Sequence, residues 1–149
     1  MPRDGNVTIR SAEQTDAAAL ASLSTQLGYP ADADTMQRRL HHVRANRIGE
    51  VFVAVNNATR VVGWTHVVER FHLEDESFVE LAGLVVDASA RSAGVGAALL
   101  RKAETWAHEH GHAKLRVRSN VIRERTHGFY RREGYIEKKR QVVFEKPLS

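Results

Sequence analysis

Arg91-Ser92-Ala93-Gly94-Val95-Gly96 stands between the apolar stretch Leu81-Ala82-Gly83-Leu84-Val85-Val86 and the helix-forming stretch from Ala97 to His110. An apolar run of that length reads as a buried strand, and the run after the glycines reads as an amphipathic helix. Two glycines at the junction let the backbone approach a ligand closely and adopt conformations that side chains disfavour. A helix starting there turns unpaired N–H groups and a partial positive charge toward whatever lies in front of it, so the expected guest is an anion.

Spacing separates this segment from two better-known glycine loops. A dinucleotide fingerprint requires a third glycine where Leu99 stands and normally follows the first strand of its fold. A nucleoside triphosphate loop requires a Gly-Lys-Ser/Thr ending, which is absent.

The chain has 149 residues, which fits one domain from residue 7 onward after a short flexible N-terminus at 1–6. With 42% apolar and 27% charged residues it has the balance of an ordinary globular protein. No cysteine is present, which excludes disulfides, thiol nucleophiles and cysteine-bound metal. No long apolar run or secretory leader is visible, so a cytoplasmic location without membrane association is expected. The pI is about 9.8, yet no basic stripe interleaved with aromatic residues marks a nucleic-acid surface. Charge is polarised along the chain. Glu69, Glu74, Asp75, Glu76 and Glu80 face only Arg70, whereas eight Lys or Arg face four Glu between Arg123 and Ser149. An acidic pole suits a cationic amine and a basic pole a phosphorylated ligand.

Val7-Thr8-Ile9-Arg10 alternates as a strand does, and Thr15-Asp16 reads as the start of a helix running to Gly28. Met36, Leu40 and Val43 mark a second helix over roughly 34–45. Strands are expected at 51–55 and 61–68, joined by a hairpin loop at 56–60, and at 78–86. In the helix after the glycines, Val95, Leu99, Ala103, Trp106 and His110 form one stripe, with Lys102 and Glu109 away from it and Gly111 as the stop. A strand at 114–119, a short helix at 124–133 and a closing strand or strand pair at 135–146 complete the order. The fold class is α/β, with a mixed sheet and helices on its faces.

Arg-x-x-Gly-x-Gly followed by Ala97-Ala98-Leu99 resembles the pyrophosphate-binding motif of the GNAT superfamily of N-acetyltransferases. The likeness extends through Asp87, Leu99-Leu100 and Ala103-Glu104-x-Trp106-Ala107 to Thr126-His127-Gly128-Phe129-Tyr130-Arg131-Arg132-Glu133-Gly134-Tyr135. That last run is similar to the family's Ala-His-x-Phe-Tyr-x-x-x-Gly-Phe signature. The resemblance implies a mostly antiparallel sheet of six to seven strands with about four helices. It also implies transfer of an acetyl group from acetyl-CoA to an amine, without a metal. The acceptor is a small-molecule amine or a protein amino group. Homodimers are common in the family, although no sequence feature here marks one. A non-catalytic acyl-CoA sensor on the same fold is the alternative.

The same resemblance distributes the roles. Backbone amides of Arg91, Ser92, Ala93, Gly94, Val95, Gly96 and Ala97 would take the pyrophosphate. The backbone of Leu84, Val85 and Val86 would meet the pantetheine arm and the reacting carbonyl, with a β-bulge expected near Gly83. Tyr130 would donate to the departing thiolate, a phenol otherwise being a packing residue. Many relatives carry a cofactor-contacting asparagine where this chain has Arg123, and Asn120 lies three residues earlier, so either is a candidate. Glu80, 11 residues before Arg91, matches a catalytic glutamate of some relatives. Burial among apolar neighbours would suit it to accept a proton through water, about 13 Å along the strand from Leu84. It reads equally as a strand glutamate paired with Arg10 or Arg70. His108, His110 and His112 surround a helix end, where imidazolium complements the dipole, and are not read as metal ligands. His66 and His72 flank the expected acceptor cleft, and the first two helices would border it.

Overall fold

The computed structural model describes residues 6–91, 93–119 and 124–149. The chain forms two compact units, Met1–Arg118 and Ser119–Ser149.

The first unit is built on a five-stranded sheet in sequence order: β1 (Thr8–Ser11), β2 (Gly49–Val55), β3 (Val61–Arg70), β4 (Phe78–Val86) and β5 (Leu115–Val117). The first three pairings are antiparallel and β4–β5 is parallel. Parallel neighbours require a crossover, and α3 (Val95–Glu109) supplies it. The β2–β3 hairpin closes where expected, because the Asn56 side chain accepts from the Ala58 and Arg60 amides at 3.0 and 2.9 Å.

Alternation along the strands gives the sheet two apolar faces. On one, Val51, Val53 and Trp64 pack with Leu20 of α1 (Ala17–Gln26) and Leu40 of α2 (Ala33–Asn46). The Asp32 carboxylate starts α2 by accepting from the Thr35 amide at 2.8 Å. Asp16 precedes α1 as expected, but its carboxylate serves the turn before the helix, accepting from the Glu13 amide at 2.7 Å and from both terminal nitrogens of Arg10. Arg10 is therefore committed to Asp16 and does not pair with Glu80.

The other face carries α3. Val95, Ala98, Leu99, Leu100, Ala103 and Ala107 are buried, and Leu99 is fully enclosed. Trp106 and His110 lie at the margin of this stripe, their rings stacked 4.0 Å apart. Lys102 departs from the expectation. Its ammonium lies 5.3 Å from the centre of the Phe52 ring, because a lysine stem follows apolar surface while its head stays wet. β5 is shorter than the expected 114–119, and Arg116 lies over the Phe78 ring with its guanidinium carbon 4.1 Å from the ring centre.

The second unit holds α4 (Glu124–Arg132), which stops in a turn at Gly134. Residues 135–146 were expected to form one or two closing strands. They carry no ladder pairing among the described residues, so the sheet has five strands instead of six to seven. A strand exists only where a partner satisfies its backbone, and local β-propensity does not provide one. Among the described residues, no helix is long and apolar enough to cross a membrane.

Candidate active site

The segment between β4 and α3 is held by a latch. The Asp87 carboxylate, 5% exposed as a residue, accepts from the Ser89 amide and hydroxyl at 3.0 Å each and from Arg60 at 2.7 Å. Its own amide donates to the Val62 carbonyl at 2.8 Å, and the Ala88 amide donates to the Gln26 side chain at 3.1 Å. The Ser89 amide is the main favourable influence that holds the Asp87 carboxyl below the usual carboxylate range. Strand end, hairpin and first helix thus converge on one carboxylate before the glycine loop begins. The sequence marked Asp87 as a turn residue, but Arg60 and Gln26 gave no local signal.

Gly94 takes φ 82° and ψ 3°, a left-handed conformation, at the N-cap of α3, and as a glycine it brings no side chain to cap the helix. The first helical bond runs from the Ala98 amide to the Gly94 carbonyl at 3.0 Å. The amides of Val95, Gly96 and Ala97 consequently have no intrahelical acceptor, and they point along the positive end of a 15-residue helix. Arg91 and Ala93 are exposed beside them. Ser92 lies outside the described residues, as do Asn120 and Arg123.

β4 is irregular where the resemblance required it to be. Val67 pairs with Leu81 and His66 with Gly83, which leaves Ala82 as the extra residue of a bulge. Gly83 has to lack a side chain, since a Cβ there would stand 2.7 Å from the Trp64 ring. Beyond the bulge, β4 keeps one neighbour only. β5 pairs with Val79, Glu80 and Leu81, whereas Leu84, Val85 and Val86 are paired on the β3 side alone among the described residues. The β4–β5 ladder ends there, and the Leu84–Val86 stretch leads along the chain toward the glycine loop and α3.

Glu80 is 7% exposed, but it does not sit among apolar side chains alone. Arg70 donates to one carboxylate oxygen at 3.1 Å, and Arg118 lies 3.5 Å from the other. Of the two readings of Glu80, the pairing with Arg70 is present, with Arg118 added from β5's end. Across the ladder Glu80 faces Val68, so His66 lies on the same face of the sheet two residues along β3. Burial, helped by the charge of Arg70, holds the His66 imidazole below its ordinary value against the pull of Glu80 and Glu50, leaving it neutral at pH 7. His66, read from the sequence as flanking the acceptor cleft, thus stands as a buried ring within the electrostatic reach of Glu80 and Arg70.

The acidic pole is largely compensated. Asp75 accepts from Lys114 at 3.2 Å and Arg116 at 3.1 Å, which holds its carboxyl down at about 2. Glu69 accepts from His112 Nε2 at 2.5 Å, and the same buried ring reaches Ser77 through Nδ1 at 3.2 Å. His112, just past the end of α3, thus ties β3 to the loop before β4. Among the described residues, no three side chains gather as metal ligands would.

In the second unit Tyr130 is 8% exposed, with its ring edge-on to Phe129 and Tyr135 at 5.1 and 5.8 Å. Burial pushes its phenol up to about 12. A phenol so placed keeps its proton throughout the neutral range and is a permanent hydrogen-bond donor.

A sequence comparison with curated proteins returns no match. Among solved structures the chain is similar to the aminoglycoside N-acetyltransferase AAC(6')-Iy in complex with CoA, with TM-score 0.84, 18% identity and 99% of both chains covered. It is also similar to the aminoglycoside 6'-N-acetyltransferase AAC(6')-IG from Acinetobacter haemolyticus, with TM-score 0.82, 20% identity, and 95% of this chain and 99% of that one covered. A transcriptional regulator from Bacillus halodurans C-125 matches as well, with TM-score 0.83, 19% identity, and 94% and 99% covered. At these identities the likeness establishes a shared fold, on which different functions are built. The model of the acetyltransferase (GNAT) family matches residues 17–135, and the chain belongs to that family.

Proposed function

We propose that the chain transfers the acetyl group of acetyl-CoA to a primary amine by direct attack within a ternary complex. The observation that carries this reading is the glycine-started helix α3 following a stretch of β4 that is paired on its β3 side alone among the described residues. Free amides at the helix start fit a pyrophosphate, and a half-paired strand fits an extended amide-bearing arm by adding to its edge. The CoA bound to AAC(6')-Iy is consistent with such a guest.

The amine nitrogen attacks the thioester carbon, and the carbon–sulfur bond breaks. Backbone donors at Leu84–Val86 stabilise the charge that develops on the carbonyl oxygen, an effect on the order of 3 kcal/mol for one well-placed donor. The amine's proton leaves through water to the polar strip of Glu80 and His66. Tyr130 donates a hydrogen bond to the departing thiolate. With its phenol near 12 and an ordinary thiol near 8.5, it keeps its proton, and solvent protonates the thiolate. No cysteine is present to carry an acyl group, which supports direct transfer.

A small-molecule amine or a protein amino group remains the acceptor class. The sensor reading draws on a different observation: both carboxylate oxygens of Glu80 face guanidinium groups. Thiol release from acetyl-CoA over a panel of pooled amines separates the two. Turnover with at least one amine supports transfer, whereas saturable coenzyme A binding without turnover on any of them supports the sensor.

A further inference from the structure

Glu80 sits between two arginines that it does not saturate. Its side chain is 10% exposed, while those of Arg70 and Arg118 are 40% and 58% exposed. Arg70 donates one hydrogen bond to Glu80 at 3.1 Å, and Arg118 approaches the other oxygen only to 3.5 Å. That other oxygen, Oε1, is buried and makes no hydrogen bond among the described residues. A guanidinium carries five N–H donors in a rigid fork, so both arginines keep most of theirs for a ligand.

Two guanidiniums against one carboxylate leave an excess of one positive charge. The neighbours do not remove it. His66 is neutral at pH 7, Arg44 and Glu50 pair with each other at 3.5 Å, and Asp75 and Glu69 are engaged by Lys114, Arg116 and His112. The acidic pole of the sequence is therefore not an acidic site for a polycation.

We infer that the acceptor is an amino carboxylate, whose carboxylate docks on the Arg70 and Arg118 guanidiniums while its amine reaches toward the half-paired stretch Leu84–Val86. This deepens the proposed transfer and rests on that reading for where the amine must lie. Glu80 is about 13 Å along β4 from Leu84, a distance that an arginine side chain and a small extended acceptor cover together. A carboxylate matches the guanidinium fork in shape, and its single charge matches the excess, whereas a phosphate monoester brings nearly two. Glu80 Oε1 is left to accept from the amine or from the water that takes its proton.

Thiol release from acetyl-CoA by the full chain is measured with α-amino acids and ω-amino acids of increasing length, each beside its carboxamide, and with kanamycin and spermidine. At least one acid is expected to exceed its carboxamide about 10- to 100-fold in kcat/KM, through KM, as a charge-assisted hydrogen bond gives. Arg118→Gln should bring that ratio toward one, and Arg118→Lys, which keeps the charge without the fork, should retain part of it. Carboxamides or polycations that match or exceed every acid overturn the inference, as does an Arg118→Gln chain with an unchanged ratio. Absence of turnover with all amines counts against acetyl transfer itself, and calorimetric titration of the same pairs into the chain with excess coenzyme A then decides the acceptor class. Tighter binding of an acid than of its carboxamide supports the inference, whereas equal affinity, or no binding of any acid, overturns it.

Discussion

Gly94 and Gly111 bracket α3 with φ of 82° and 81°, so one substitution at both sites imposes similar backbone strain with different consequences for the ligand. Alanine in left-handed geometry costs about 1–2 kcal/mol. Gly111 has open space around its would-be Cβ, which makes strain the whole effect at that end. Urea unfolding should therefore show both variants destabilised by about 1–2 kcal/mol. At Gly94 the loop has a second response, which is to leave the cradle geometry. A penalty of about 1.4 kcal/mol lowers the population of the competent loop to about a tenth, and apparent coenzyme A affinity falls about tenfold in proportion. Calorimetric titration of Gly94→Ala and Gly111→Ala should give a weakened Kd for the first and a wild-type Kd for the second. Equal Kd values in two equally destabilised variants would refute the assignment of the α3 N-terminus as the pyrophosphate site.

Tyr130→Phe should lower kcat about 10- to 100-fold, the worth of a hydrogen bond to a charged group, while leaving coenzyme A affinity unchanged. The phenol also has a stability signature. Its folded value of about 12 lies above the unfolded value of 10, so its contribution is complete below pH 10 and lost as pH rises toward 12. Alkaline unfolding in that window should be less steep in Tyr130→Phe. Glu80→Gln should reduce kcat by roughly 10²-fold with coenzyme A binding intact, as expected for a proton acceptor. A loss below threefold would reduce Glu80 to a clasp between Arg70 and Arg118. Asp87→Ala removes the cap on Ser89 and the partner of Arg60, and should cost about 1–2 kcal/mol in urea unfolding together with weaker coenzyme A binding. Because the folded Asp87 carboxyl is depressed, its contribution is present above about pH 4 and fades as pH falls below that, a dependence the variant should lack.

What could be read ahead of the structure was what short-range pattern encodes. The bounds of β4 at Phe78 and Val86 and the hairpin at 56–60 follow from period and turn chemistry, and the helix after the glycines was legible too, although α3 starts at Val95, two residues before the expected Ala97. A bulge near Gly83 came from the family likeness, and its physical basis is the Trp64 ring lying over a residue without a side chain. Contacts between distant residues stayed hidden. Nothing local tells Glu80 that Arg118 will reach it from the end of β5, or Asp87 that Arg60 and Gln26 will converge on it. Lys102 was placed by its charge, although its stem follows apolar surface to Phe52. Val142-Val143-Phe144 shows the limit most plainly, because propensity names a strand and cannot name its partner.

Isothermal titration of the folded wild-type chain with coenzyme A, repeated with dephosphorylated pantetheine, tests the α3 cradle most directly. Saturable binding of coenzyme A at one site per chain is expected, with a large loss of affinity for the compound that lacks the pyrophosphate. No heat with coenzyme A, or equal affinity for the two compounds, would contradict it.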